Sequence, residues 1–174
     1  MLGNGDIWTA GDALRMIAET GCDGVVVGRG CLGRPWLFGD LACAFAVRAV
    51  PPAPILPEVT RVLRRHAALL ADWLTEPVAV RDIRKHVGWY LQGYPVGGTA
   101  RRQLTGATTL AELEGMLDAL VEAHGDLAVV DGADTRPRGK TSGPISVTLP
   151  HGWLTSADDP SPVVDEELEA VSGG

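Results

Sequence analysis

Gly24-Val25-Val26-Val27-Gly28 is the stretch that most restricts what this chain can become. Three consecutive β-branched residues between glycines leave no polar alternate position, so a strand built from them needs cover on both faces. Such strands belong to parallel sheets flanked by helices. The surrounding sequence agrees. Gly3-Asn4-Gly5-Asp6 reads as a turn. Thr9 or Asp12 can cap a helix to about residue 20, with Ala13, Leu14, Ile17 and Ala18 on one face, and Gly21 ends it. Arg29 to Pro35 is a second Gly-rich loop, and Pro35 suits the first turn of a helix from Trp36 to about Val47. This is a βα–βα series, and two parallel strands cannot close a sheet. With only Met1 and Leu2 before Gly3, residues 1–50 are expected to form the last two units of a TIM-type (β/α)8 barrel.

Residues 51–57 hold four prolines and predict a stiff linker. Beyond them the periodicity turns helical, giving an α/β part followed by an all-α part. Glu58–Leu74 carries apolar residues at 59, 62, 63, 69, 70, 73 and 74. Pro77 opens a helix to Leu91 in which Val80, Ile83, Val87 and Tyr90 share one side. Gly93–Gly98 reads as a loop, Ala100–Leu104 as a short helix, and Thr108 or Thr109 caps a last helix to about His124, with Thr109 and Glu112 spaced as a capping box. Residues 58–125 are thus a helical bundle. After Gly125, Asp, Gly, Pro and Ser dominate, and 126–174 is expected to be a disordered acidic tail whose one strand-like piece is Ile145–Leu149.

The net charge of −7 argues against nucleic acid only until it is divided. Residues 126–174 carry 3 Lys/Arg against 9 Asp/Glu, whereas residues 57–102 carry 8 against 4. The middle of the chain is locally basic. Arg81, Arg84 and Lys85 fall on the side of their helix opposite the apolar stripe, and Arg101 and Arg102 extend that basic surface. Phosphate contact is one reading of it and a solvated helix face is the other. Trp89 and Tyr90 read as core, and His86 and His66 as packed histidines. No run of 18 apolar residues predicts a membrane span, and no secretory signal is visible, so a cytoplasmic protein is expected. Cys22, Cys31 and Cys43 form no C-x-x-C pair, so no structural zinc is expected on spacing grounds.

In barrels of this type the loops after the last two strands commonly hold a phosphate. Asn4-Gly5-Asp6 and Gly28-Arg29-Gly30 occupy those places. Glycines let backbone N–H groups come close and Arg29 offers a charged fork, while Asp6 better suits loop backbone or a ligand hydroxyl. Ordinary turn glycines with a surface arginine would explain the same residues.

Two longer strings weigh against that plain reading. Gly3–Ile7 followed by Gly28-Arg29-Gly30-Cys31-Leu32-Gly33-Arg34-Pro35-Trp36 resembles the end of the flavin barrel of tRNA-dihydrouridine synthases. Arg84-Lys85-His86-Val87-Gly88-Trp89-Tyr90 resembles the helical-domain signature of the family's bacterial B-type branch. The resemblance covers about residues 2–124, and no counterpart is identified for the tail. It implies an oxidoreductase that reduces uridine to 5,6-dihydrouridine in tRNA with FMN and NADPH. It places Asn4, Gly5, Asp6, Gly28 and Arg29 at FMN, and the helical domain on tRNA. The family's catalytic cysteine, in an Asn-x-Gly-Cys-Pro motif, has no match here, so no catalytic residue is assigned and the chain alone is expected to be inactive unless a separate chain completes the barrel. A non-enzymatic RNA-binding module, a nonfunctional remnant, or another α/β barrel using FMN or a sugar phosphate are the competing readings.

Overall fold

The computed structural model describes residues 1–137, which fall within one compact unit, Met1–Gly139. The strand-like piece expected at 145–149 lies outside the described residues.

The chain opens with a β-α-β unit. Strands β1 (Leu2–Asn4) and β2 (Gly24–Val26) are parallel, in the register Leu2↔Gly24 and Asn4↔Val26. Helix α1 (Ala10–Thr20) connects them. Thr9 is its N-cap, and Asp12 is the reciprocal partner that closes the capping box. Gly21 ends the helix in the left-handed conformation, at φ 68°. The expected inner face is only partly right. Ala10 and Ala13 are buried, but Leu14 is 44% exposed and Ala18 also faces outward.

The valine run is covered on one side. Val25 and Val27 pack against the cluster of Ile7, Ala10, Ala13, Leu37 and Leu41. Gly3, on the same side as Val25, fits beneath Met16: a Cβ there would lie 2.7 Å from the Met16 sulfur. Leu2 and Val26 share the opposite side and are 65% and 44% exposed. The sheet therefore has a helix-covered face and a bare apolar face.

A 3-10 turn, Arg29–Cys31, leads to helix α2 (Leu37–Phe45). The helix expected to reach Val47 stops earlier, because Val47 adopts a left-handed φ of 54°. Arg48 N–H then bonds back to Cys43 O at 2.8 Å, closing the end.

Four helices follow the proline-rich linker: α3 (Leu56–Trp73), α4 (Glu76–Tyr90), α5 (Gly97–Gly106) and α6 (Leu110–His124). Leu56, Val59, Leu63, Ile83, Val87, Tyr90, Leu104, Leu113 and Leu117 form their core. The α4 stripe is buried as its spacing predicts. On α3, Leu69 and Trp73 are instead 48% and 87% exposed, so its apolar face is narrower than the sequence suggests. At α6, Thr109 caps Glu112 N–H, but the Glu112 carboxylate reaches back to Thr108 rather than to Thr109. Among the described residues, no helix is long and apolar enough to cross a membrane.

Residues 126–137, expected to belong to a disordered tail, are laid against the bundle. Leu127 O accepts from Leu56 N–H at 2.9 Å, and Val130 N–H donates to Gly93 O at 3.0 Å. Leu127 and Val129 pack on the helical core, and Ala133 and Asp134 are buried. Composition misled here: two apolar side chains and a few backbone bonds suffice to fix a polar segment on an existing surface.

The first and second apolar clusters meet through the loop between β2 and α2. Trp36 packs on the helical core. Gly33, at φ +62°, lies against the α4 backbone, where a Cβ would sit 2.3 Å from the carbonyl carbon of Trp89. We predict that Gly33→Ala costs on the order of 2–3 kcal/mol in urea denaturation, since it adds both a disfavoured φ and a backbone clash. Val47→Gly should raise stability by about 1 kcal/mol in the same assay, by relieving a β-branched residue from the left-handed region.

Candidate functional site

Parallel pairing puts the ends of β1 and β2 side by side, so the loops that follow them are neighbours. Asn4 Nδ2 donates to Val26 O at 3.4 Å, across the strand ends. Asp6 Oδ1 lies 3.5 Å from Arg29 Nη2, with both side chains largely exposed. Such a pair contributes little to stability. Its value is to show that the two expected ligand loops converge. The Arg29 guanidinium also lies over the Trp8 ring, 5.7 Å from its centre, which restricts where that cation points. Gly30 seats the second loop on the first: a Cβ there would be 1.9 Å from Ile7 O. Gly28, by contrast, opens outward, with nothing within 4 Å of the place a Cβ would take. A cation beside open backbone fits an anionic group such as a phosphate. The Asp6 carboxylate does not, and suits a hydroxyl beside it.

Arg34 supports this arrangement from below. It is 5% exposed. Its Nη1 donates to Trp8 O at 2.6 Å and its Nη2 to Asp40 Oδ2 at 3.3 Å. Its Nε lies 3.3 Å from Asp134 Oδ2, an ion-pair contact at an angle that makes no hydrogen bond. Burial pushes the Asp40 carboxyl above its usual range, the Arg34 charge opposes that, and Asp134 adds to it. The sequence identifies Arg34 only as part of a motif. Its burial and its partner a hundred residues on carry no local signal.

The expected RNA-facing cations divide into two groups. Arg81 and Lys85 are exposed on α4, with Lys85 paired to Asp82 one turn away at 2.9 Å. Arg102 is exposed and donates to Thr99 Oγ1 at 3.1 Å. Arg84 and Arg101 are committed to backbone. Arg84 donates from Nε and Nη2 to Ala107 O, at the end of α5. Arg101 Nη2 donates to Leu91 O and Tyr94 O, both at 2.7 Å, at the end of α4. The open basic surface is therefore smaller than helical spacing implies, because two of its arginines satisfy carbonyls that the helix ends leave over.

A cleft of about 340 Å³ separates the Cys31–Pro35 loop from α3 and α4. Arg65, exposed on α3, stands on its rim. His66 and His86 lie within it as an edge-to-face pair, 4.8 Å between ring centres, and His66 Nδ1 is 3.2 Å from the Tyr90 hydroxyl. Sequence reasoning passed over Arg65, since nothing in one helix's periodicity shows which loop will pack beside it. Burial lowers the pKa of both imidazoles, and for His86 the neighbouring His66 lowers it further, against Asp82. Burial pushes the Tyr90 hydroxyl up to about 12.

The profile of the family described as Dihydrouridine synthase (Dus) matches residues 1–124. A probable tRNA-dihydrouridine synthase of Mycobacterium tuberculosis is 49% identical over 174 residues, which is 100% of this chain and 43% of that protein. One from Mycobacterium leprae is 50% identical over 159 residues, 91% of this chain and 40% of its own. The tRNA-dihydrouridine synthase B of Xanthomonas axonopodis pv. citri is 37% identical over 125 residues, 70% of this chain and 38% of its own. The chain spans less than half the length of these curated relatives and matches their C-terminal part. The first of these alignments includes residues 126–174, so the tail does have a counterpart, contrary to expectation.

The histidine pair generates a pH prediction. Both rings have folded-state values below the 6.5 of free imidazole. Their neutral pairing contributes fully above pH 6.5, and that contribution falls as pH drops below it, because the unfolded chain takes protons first. For His86 the charge of Lys85 adds to this, whereas Asp82 opposes it. The urea midpoint should drop between pH 7.5 and 5.5, and a His66→Gln/His86→Gln double variant should show a flatter slope.

Proposed function

The chain belongs to the dihydrouridine synthase family, and from that premise we propose that it carries the end of the flavin barrel and the tRNA-gripping helices of a tRNA-dihydrouridine synthase. The observation that carries this reading is the convergence of the Asn4–Asp6 and Gly28–Arg29 loops at the C-terminal ends of two parallel strands. When bound, FMN would supply the hydride that reduces the uracil C5–C6 double bond, with NADPH as the source of electrons. The residues of this chain bind and orient. Arg29 and the open backbone at Gly28 would hold the FMN phosphate, while Asn4, Gly5 and Asp6 would contribute the neighbouring loop, in which Asp6 suits a ligand hydroxyl. The proton for uracil C5 comes from a cysteine acid outside this chain, because no cysteine here matches the family's motif.

The bare face carrying Leu2 and Val26 supports the barrel reading. Helices cover one side of a barrel strand and the packed interior covers the other. Here the helix side is complete, and the apolar interior side awaits the other strands, from the same polypeptide or a separate chain. Arg81, Lys85 and Arg102 are the cations available to tRNA phosphates. Arg84 and Arg101 act by shaping the α4–α5 corner that presents them.

The helical half has its own apolar core, which favours a second reading in which it binds RNA without flavin. One titration series separates the two. Under the first, tRNA affinity of the chain falls as salt rises, and Arg81→Ala and Lys85→Ala each reduce the slope of log K against log salt by about 1. Arg29→Ala leaves that slope unchanged but weakens FMN, read by flavin fluorescence quenching. Salt-dependent tRNA binding with no FMN uptake, in the chain supplied with the remaining barrel strands, would support the second reading. Salt-independent tRNA binding would defeat both.

A further inference from the structure

We propose that Asp134 is a positioning residue for the phosphate loop, acting through Arg34 on Trp8 and so on the direction of Arg29. The inference rests on the reading above, that Gly28 and Arg29 hold a phosphate. It concerns a residue ten positions beyond the match to the family profile.

The contacts form one path. Arg34 N–H donates to Cys31 O at 2.9 Å, so its backbone closes the loop that begins at Gly28. Its side chain turns inward and holds Trp8 O. The Trp8 N–H donates to Asp12 Oδ2 at 3.0 Å. Trp8 is thus fixed at both ends of its backbone, and its ring is the platform under the Arg29 guanidinium. Whatever fixes Arg34 fixes that platform.

Two carboxylates face Arg34 where one would balance its charge. Asp40 comes from α2, the helix that Arg34 itself leads into. Asp134 comes from the segment anchored on the far side. Gln92 Nε2 donates to Ala133 O at 3.4 Å and Arg136 O at 3.0 Å. Gly93 lies so close beneath that a Cβ would be 2.9 Å from Asp134 N. Residues 127–137 thus form a strap seated on the exit of α4, and Asp134 extends from it to Arg34. A second buried carboxylate adds desolvation cost and repels Asp40. It is not needed for neutrality. Its geometric effect is to tie the loop's arginine to the helical bundle, so that Arg29 keeps one orientation relative to the helices.

The test uses the full chain, with hydrogen exchange read on peptides covering residues 7–10 and 28–34, and with inorganic phosphate and FMN as the binding probes. In Asp134→Asn, exchange in those two peptides should rise about tenfold and phosphate affinity should fall by a similar factor, as for other supporting residues around a ligand site. Exchange in α3–α6 should stay unchanged. Asp134→Glu, which retains the charge, should restore most of both effects. Gln92→Ala loosens the strap without touching the ion pairs and should give the same pattern, more weakly. It and Asp134→Glu decide the matter if Asp134→Asn does not fold.

If the strap peptide 127–137 opens while both loop peptides and phosphate affinity keep wild-type values, the proposal is overturned and Asp40 alone holds Arg34. If the loop peptides respond as expected but neither phosphate nor FMN binds to the wild type, even when it is supplied with the remaining barrel strands, the positioning path stands and the phosphate reading of the loop falls. If phosphate binds, is lost in Arg29→Ala, and is unaffected in every strap variant, the reverse holds.

Discussion

Everything in this structure turns on a loop that has room for no side chains at two of its positions. Gly30 rests on the carbonyl of Ile7 and Gly33 rests on the backbone of α4. The stretch from Gly28 to Arg34 is therefore clamped between the β-α-β unit and the helical bundle by contacts between main chains. Main-chain contacts have no rotamers to exchange, so they set distance more strictly than packed side chains do. The spacing of Arg29 from the first loop, and of the 340 Å³ cleft from α3, both follow from it.

The sequence made the local features legible and the long-range ones not. Thr9, Gly21 and Thr109 mark helix ends through chemistry confined to one turn, and they are where that chemistry puts them. The α4 stripe is legible because its period is carried by one helix. Leu14, Leu69 and Trp73 fit the same period yet are exposed. Periodicity names a face, but the width of the partner surface decides how much of that face is covered. The valine run has the composition of a doubly buried strand, yet only one of its sides is covered by the described residues. The strap at 126–137 was hidden by its polar composition, since its order comes from Leu56, Gln92 and Gly93, which lie far away in sequence.

Charge shows the same division. Counting lysines and arginines located a basic region within an acidic chain, but it could not say which cations were free to meet a ligand. Arg84 and Arg101 are occupied by carbonyls at helix ends, and Arg34 by a carbonyl and two carboxylates. The guanidinium group suits this work because it presents several donors in fixed directions. Motif residues of one chemical type thus serve two purposes, and only the fold separates the arginines that build the surface from those displayed on it.

The bond between Leu56 N–H and Leu127 O joins the first residue of the four-helix stretch to the segment just past its last helix. The bundle accordingly begins and ends at one point. A module whose termini meet can be gained, exchanged or lost by a host chain without threading either through the other. The geometry that closes this bundle would also let evolution or an engineer treat it as a detachable cassette on the polypeptide that carries it.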